Sequence, residues 1–221
     1  PIIRRAEQAL QAYIAEHHRD AAKLSAHDWL QLKRAAIAKD TRLASDMAQL
    51  RRVVLTAALS GTPANQLSLA PAADSALRSA VDDCFNCFYD ARSDFTLADN
   101  VHNILDKLSQ RIPLVGITNG NVKTQKVGLD CYFQNILHAS IERPMKPAVN
   151  MFNEAASLLK VEPAHILHVG DNIIKDVLGA VNAGYQSAWF ACNRPMELAL
   201  EPVSVLPHVQ LHTLEELTQF V

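Results

Sequence analysis

Short apolar segments alternate with helical segments in the second half of the chain, and this alternation restricts the possible folds more than any other feature. The predicted strands are residues 114–118, 135–139, 166–170, 187–190 and 209–211. The predicted helices are residues 97–110, 122–127, 148–159, 173–183 and 214–220. Because two parallel strands need a crossover connection, usually a helix, this order predicts an α/β fold with a Rossmann-like, doubly wound parallel sheet.

The first half of the chain has apolar residues at helical spacing and no segment with the alternation of a strand. Ser25 and Asp28 are spaced as in a capping box, which predicts a helix that begins at this point. Gly61 follows a third apolar stripe and suits the residue after a helix end. We therefore expect a four-helix cap domain over residues 1–93 and an α/β core domain over residues 94–221.

Composition limits the partners and the compartment. The 221 residues carry a net charge of −2 and no basic cluster, which argues against nucleic acid or a membrane surface as a partner. No apolar run approaches the roughly 20 residues that cross a bilayer. Four scattered cysteines (Cys84, Cys87, Cys131 and Cys192) favour structural thiols in a reducing cytoplasm over a disulfide framework or a metal site. We expect a cytoplasmic monomer or homodimer.

Residues that follow strands matter most for function, because parallel sheets bind ligands beyond the carboxyl ends of their strands. After the first predicted strand, Thr118 offers a hydroxyl group, and Gly120 permits a tight turn after Asn119. The N–H groups that follow such a turn suit an anion such as phosphate. An ordinary strand-to-helix turn explains the same residues when they are considered alone.

Two further loops carry charged groups at predicted strand ends. Lys146 lies between Pro144 and Pro147, so its backbone is restrained and its ammonium group can neutralise a phosphoryl oxygen. A solvated surface lysine is the alternative. Asp171 ends another strand and Asp176 follows five residues later. Oxygen ligands in this arrangement suit Mg²⁺, although capping of a helix by Asp171 is also compatible with the pattern.

In this order, the segments ITNG, MKP and HVGDNIIKD resemble the second, third and fourth motifs of the haloacid dehalogenase (HAD) superfamily. The resemblance covers the chain from Asp94 onward in detail, and the helical half fits the family's C1-type cap in pattern. It implies that Thr118, Asn119, Gly120 and Lys146 bind phosphate. It further implies that Lys146 and Asp171 are catalytic, that Asp171 binds Mg²⁺, and that Asp176 orients the metal's surroundings or Lys146.

The activity implied by the resemblance is that of a Mg²⁺-dependent phosphatase that acts on a small phosphorylated metabolite through an aspartyl-phosphate. The segments ITNGN, RPMKP and LHVGD also resemble a bacterial branch of the family that acts in flavin pathways. FMN and 5-amino-6-(5-phospho-ribitylamino)uracil are the substrates that this branch implies. The alternatives are a phosphomutase or a dehalogenase on the same fold, or a binding module without a nucleophile.

One family feature has no match in these 221 residues. The first motif, Asp-x-Asp after the first core strand, supplies the nucleophile and the acid/base aspartate, and it should precede the cap. Asp82 and Asp83 lie in a helical segment, and Asp90 and Asp94 follow a helix, so none of them fits. We expect the motif upstream of Pro1. In the family its strand is central, beside the strand that ends at Asp171, so we expect open strand edges, poor folding and no activity from this chain alone.

Overall fold

The computed structural model of the protein describes residues 2–191, 194–202 and 205–221, which form two compact units. The first unit comprises Pro1–Thr96, Gly120–Gly128 and Ser140–Glu142. The second unit comprises Leu97–Asn119, Leu129–Ala139 and Arg143–Val221. None of the helices in these described ranges combines the length and the apolar character that a membrane span requires.

Two short segments that we assigned to the core domain belong to the first unit instead. Lys123 forms an ion pair with Asp90, and Lys126 lies 3.8 Å from the Asp94 carboxylate. Ile141 packs against the apolar cluster of the helical unit. Side-chain contacts of this kind are not encoded in the local periodicity from which the boundary was predicted.

The helices agree with the predicted ones to within a few residues, except that the predicted helix 173–183 begins with a π-helical turn and the predicted helix 214–220 is of the 3₁₀ type. They are α1 (Ile2–His17), α2 (Ala26–Lys39), α3 (Met47–Leu59), α4 (Ser75–Arg92), α5 (Asp99–Ser109), α6 (Thr124–Val127), α7 (Asn150–Leu159) and α8 (Gly179–Asn182). A π-helical turn, Ile173–Leu178, precedes α8. The remaining helical turns are of the 3₁₀ type: Ala21–Lys23, Thr41–Ala44, Ala64–Gln66, Pro163–His165, Leu198–Leu200 and Leu214–Phe220.

The helical unit is held together by the apolar stripes that the sequence displays. The capping box at the start of α2 is present, since the Asp28 N–H donates to the Ser25 hydroxyl and the Ser25 N–H donates to the Asp28 carboxylate. Leu10 and Ile14 of α1 are buried against Phe88 of α4 in one apolar cluster. Burial of side chains of this size contributes about 1.5–3 kcal/mol each.

All five predicted strands are confirmed, and every pairing is parallel. The strands are β1 (Val115–Thr118), β2 (Asn135–His138), β3 (Leu167–Gly170), β4 (Gln186–Trp189) and β5 (Val209–Gln210). β1 pairs with β2, and β3–β4–β5 form a second sheet. This α/β arrangement with crossover helices confirms the predicted fold class.

The two sheets are separate because no strand in the described part of the chain pairs with the second edge of β1 or of β3. All four residues of β3 are only partly buried, whereas Ser187, Ala188 and Trp189 of β4 are fully buried. In a sheet covered on both faces, a strand that is more exposed than its neighbour has an open side. The open edges are the ones that we expected beside the absent first strand.

Helix α7 connects the two sheets of the second unit. Met151 and Ala155 pack with Leu137 of β2, whereas Phe152 packs with residues that precede β4. The Tyr185 hydroxyl donates to the Phe152 carbonyl oxygen over 2.6 Å. The loop that enters α7 is therefore fixed relative to both sheets, and this loop carries Lys146.

Candidate active site

A buried ion pair joins two of the predicted site residues. The Lys146 ammonium donates to Asp176 Oδ1 over 2.6 Å and to the Ile117 carbonyl oxygen over 3.0 Å. Both side chains are about nine-tenths buried, with 11% and 7% of their surface exposed. Lys146 therefore reaches from the loop before α7 to the end of β1 and to the turn after β3.

The backbone of Lys146 is anchored separately from its side chain. Asn119 donates its amide N–H to the Lys146 carbonyl oxygen over 2.9 Å, and its amide oxygen accepts the Lys146 N–H over 2.8 Å. The Lys146–Pro147 peptide bond is cis. Because both ends of the Asn119 amide are used in this way, we expect Asn119 to meet a phosphate through its backbone N–H rather than its side chain.

The turn after β3 brings Asp176 back over the strand end. The Asn172 side chain accepts the N–H groups of Ile174 and Lys175, which caps the π-helical turn. The Asn172 N–H donates to Asp176 Oδ2 over 3.0 Å. A Cβ atom at Gly170 would lie 2.3 Å from Asp176 Cγ, so only glycine leaves room for this carboxylate. π-Helical turns are rare and are frequent at functional sites.

His168 belongs to the same cluster, although the sequence analysis did not identify it as a site residue. Its Nε2 atom lies 3.1 Å from Asp176 Oδ1. Burial lowers the pKa of His168 below the ordinary value of 6.5, so the imidazole is neutral at neutral pH. Burial by itself raises the pKa of Asp176, but the His168 hydrogen bond and the Lys146 charge outweigh it and hold that pKa well below 3.8.

Asp171 is exposed, unlike Asp176, and its carboxylate and its backbone make different contacts. No side chain in the described ranges bonds to its carboxylate, whereas its carbonyl oxygen accepts hydrogen bonds from Trp189 Nε1 and from the Arg194 guanidinium, each over 3.0 Å. The backbone is thus held while the carboxylate remains available. Trp189 is fully buried, and its anchoring role was not visible in the sequence.

A continuous set of contacts brings the predicted residues together. Thr118 follows Ile117, whose carbonyl oxygen binds Lys146; Lys146 binds Asp176; and Asp176 binds the N–H of Asn172, the neighbour of Asp171. Gly120, the remaining predicted phosphate-binding residue, belongs to the first unit, and its role stays a prediction.

The carboxylate groups of this cluster suit part of a Mg²⁺ site. Mg²⁺ typically binds one or two carboxylates and keeps waters and substrate phosphate as its other ligands. The Asp171 carboxylate meets this requirement, whereas Asp176 is bound by three donors from the protein. No group of three or more His, Cys, Asp or Glu side chains that could hold a metal occurs in residues 2–191, 194–202 and 205–221. Among the cysteines, Cys84 and Cys87 are free thiols, and Cys192 lies outside the described residues.

The family model for haloacid dehalogenase-like hydrolases matches residues 2–184, which is most of the chain. The chain belongs to the haloacid dehalogenase-like hydrolase family. The motifs at Thr118, Lys146 and Asp171 thus lie in a hydrolase of the predicted superfamily.

Known relatives include both phosphatases and a dehalogenase. The chain is 28% identical to the 5-amino-6-(5-phospho-D-ribitylamino)uracil phosphatase YigB of Escherichia coli over all 221 residues, which cover 90% of that protein. It is 29% identical to human N-acylneuraminate-9-phosphatase over 147 residues, which are 63% of this chain and 58% of that protein. The crystal structure of a 2-haloacid dehalogenase from Pseudomonas syringae pv. Tomato matches with a TM-score of 0.86, 27% identity, and coverage of 99% of this chain and 90% of that one.

Proposed function

We propose that this family member is a Mg²⁺-dependent phosphatase that hydrolyses a small phosphate monoester through an aspartyl-phosphate. The buried Lys146–Asp176 pair is the observation that carries the proposal. An ammonium group that is held at strand ends, next to Thr118, can offset the charge of both a carboxylate nucleophile and a phosphoryl group.

We propose that the nucleophile lies on an additional strand outside these 221 residues. The open edges of β1 and β3 offer backbone groups for one additional strand, whose carboxyl end would lie near Lys146 and Asp171. A first aspartate on that strand attacks phosphorus and releases the alcohol, and a second one protonates the leaving oxygen and then activates water. The resulting attack of water on the aspartyl-phosphate releases inorganic phosphate and restores the carboxylate.

Asp171 would hold the metal ion together with the substrate phosphate and water. When bound, Mg²⁺ reduces the repulsion between an anionic nucleophile and an anionic phosphate. The protein's own part is electrostatic and positional: the Thr118 hydroxyl and backbone N–H groups bind phosphoryl oxygens, and Lys146 stabilises the charge that they share.

The relatives support a proposal for the substrate class. A relative that spans all 221 residues, at 28% identity, acts on a ribityl phosphate of the flavin pathway, and a second one acts on a phosphorylated sugar acid. We therefore propose a small polyol or sugar phosphate as the substrate, with FMN and 5-amino-6-(5-phospho-ribitylamino)uracil as the first compounds to assay. A cytoplasmic location and a monomeric or dimeric state accompany this proposal.

Dehalogenation is the rival activity, because a structure with a TM-score of 0.86 to this chain is described as a 2-haloacid dehalogenase. Halide displacement needs no divalent cation. An exposed Asp171 carboxylate on an anchored backbone suits a ligand of such a cation, and it therefore favours phosphoryl transfer.

The test uses the complete protein, in which the additional strand supplies the nucleophile. We expect Mg²⁺-dependent release of phosphate from an aryl phosphate and no release of chloride from 2-chloropropionate. Asp171→Asn should nearly abolish phosphate release, whereas Asp99→Asn, at an exposed position of α5, should leave it unchanged. Chloride release without phosphate release would replace the proposal with its rival.

A second measurement tests the origin of the nucleophile. Residues 1–221 alone should release no phosphate, and addition of a strand that ends in Asp-x-Asp should restore the reaction. If residues 1–221 alone show the full rate, the nucleophile lies within them and the proposed role of the additional strand is wrong.

A further inference from the structure

We propose that His168 is a positioning residue, which holds the Asp176 carboxylate by a hydrogen bond and thereby fixes the ammonium group of Lys146. The kinetic part of this inference rests on the proposed phosphatase function. The structural part can be tested without any activity.

The geometry gives Asp176 three donors from three different parts of the second unit. Oδ1 accepts from Lys146 Nζ over 2.6 Å and lies 3.1 Å from His168 Nε2, whereas Oδ2 accepts the Asn172 N–H over 3.0 Å. His168 and Lys146 thus share a single oxygen atom. A carboxylate that is bound on both oxygens cannot turn without breaking at least one of these hydrogen bonds.

The chemistry of the contact determines which nitrogen of His168 carries the proton. An ionised carboxylate only accepts hydrogen bonds, so the Nε2 atom that faces Asp176 must be the donor. The neutral imidazole therefore has its proton on Nε2, and Nδ1 is unprotonated. This tautomer is a specific and measurable consequence of the proposed role.

The packing around His168 does not by itself explain a polar side chain. Its ring meets the Phe152 ring edge-on, with the centroids 5.0 Å apart, and only 11% of the side chain is exposed. A phenylalanine would fill this space without a polar group to satisfy. Because an unbonded polar group is costly to bury, the contact with Asp176 is the feature that accounts for the imidazole.

Loss of the His168 hydrogen bond should loosen Asp176 and, through it, Lys146. The ammonium group would still be attracted to the carboxylate, but its position against the Ile117 carbonyl oxygen would be less well defined. Groups that orient catalytic ligands typically contribute 10–100-fold to activity. Because Lys146 acts mainly on charge that develops in the transition state, we expect this loss in kcat, with KM nearly unchanged.

The first experiment measures the tautomer directly. Nitrogen-15 NMR of the histidine rings near pH 7 should show His168 as neutral with its proton on Nε2, and Asp176→Asn should perturb this signal. His165, an exposed histidine before β3, serves as an internal reference that should not respond to the Asp176 substitution. A proton on Nδ1 of His168 would overturn the proposal whether or not the protein is a phosphatase.

The second experiment compares three variants of the complete protein. His168→Phe should lower kcat by about 10–100-fold with a KM within about twofold. His168→Gln, which retains an N–H donor, should recover part of the loss, and His165→Phe should match the unchanged protein. Equal losses in the Phe and Gln variants, or a fall confined to KM, would show that His168 does not act through Asp176. Absence of phosphatase activity in the unchanged protein would reject the proposed function and leave the NMR result to decide the role of His168.

Discussion

Gly170→Ala is the substitution that should disturb the site most directly with the smallest chemical change. The added Cβ would lie 2.3 Å from Asp176 Cγ, 2.5 Å from its Cβ and 2.7 Å from its Oδ1. Non-bonded carbon atoms prefer about 3.5–4.0 Å, so the overlap exceeds about 1 Å. The side chain that would have to move is the one that Lys146, His168 and Asn172 hold in place.

The expected cost follows from the contacts that Asp176 would lose. Hydrogen bonds to charged groups contribute about 1.5–3 kcal/mol each, and disruption of a buried pair costs about 3–5 kcal/mol. Because a displaced carboxylate keeps part of its attraction to Lys146, we expect Gly170→Ala to lower the free energy of unfolding by about 3–5 kcal/mol. That is a large part of the 5–15 kcal/mol that stabilises a typical domain.

Urea unfolding followed by tryptophan fluorescence can measure this cost in the second unit alone. The chain has two tryptophans, and Trp29→Phe leaves Trp189 as the reporter. The buried Nε1 atom of Trp29 has no hydrogen-bond partner among the described residues, so replacement of Trp29 breaks no hydrogen bond there. Gly116→Ala is the matched control, because the three atoms nearest to its Cβ would belong to the Ile136 side chain, the closest of them 3.3 Å away. If Gly170→Ala costs no more than this control, Asp176 is not rigidly held.

Three other predictions concern acid stability, metal binding and thiol reactivity. The pKa of Asp176 in the folded protein lies below its ordinary value of 3.8. The ionised carboxylate therefore stabilises the fold fully above about pH 3.8, and this stabilisation is lost as the pH falls through the folded-state pKa. The urea midpoint should therefore decline less steeply with acid in Asp176→Asn than in the unchanged protein. Trp189→Phe removes one of the hydrogen bonds that anchor the Asp171 carbonyl oxygen, and it should weaken Mg²⁺ binding by about 10-fold in calorimetric titration. An unchanged affinity would show that Trp189 does not position Asp171 for the metal. Burial raises the pKa of Cys84 to about 11, so iodoacetamide at mild alkaline pH should modify Cys84 only after unfolding, and modification of Cys84 in the folded protein, detected by mass spectrometry of the peptides, would contradict this prediction.

Most of the secondary structure was predictable because it depends on local patterns. The periodicity of apolar residues located all five strands and the long helices, and the capping box at Ser25 and Asp28 marked the start of α2. The helix predicted for residues 173–183 begins instead as a π-helical turn, because Asn172 caps it and the Asp176 carboxylate folds back to the Asn172 N–H. Sequence periodicity does not distinguish such a turn from an ordinary helix.

The candidate site was predictable in its principal residues and not in their supports. Lys146 and Asp176 stood out because they are charged and follow predicted strands or turns. His168 looked like an ordinary strand residue, because its importance comes from a contact with a side chain eight positions away. A signal for it was nevertheless present: an imidazole within an apolar strand, three residues before Asp171, needs a polar partner.

The sequence by itself determined the order of strands and helices, the family, and the three loops that carry Thr118, Lys146 and Asp171, because each depends on patterns a few residues long. Only the tertiary structure decided how these residues are used. In it, Asp176 binds Lys146 and His168, and the backbone of Asp171 is anchored. Within the part of the chain that the structure describes, the Asp171 carboxylate has no side-chain partner and the second edges of β1 and β3 are unpaired. These features arise where distant segments meet and compete for the same hydrogen-bonding groups, and no local pattern encodes the outcome of that competition.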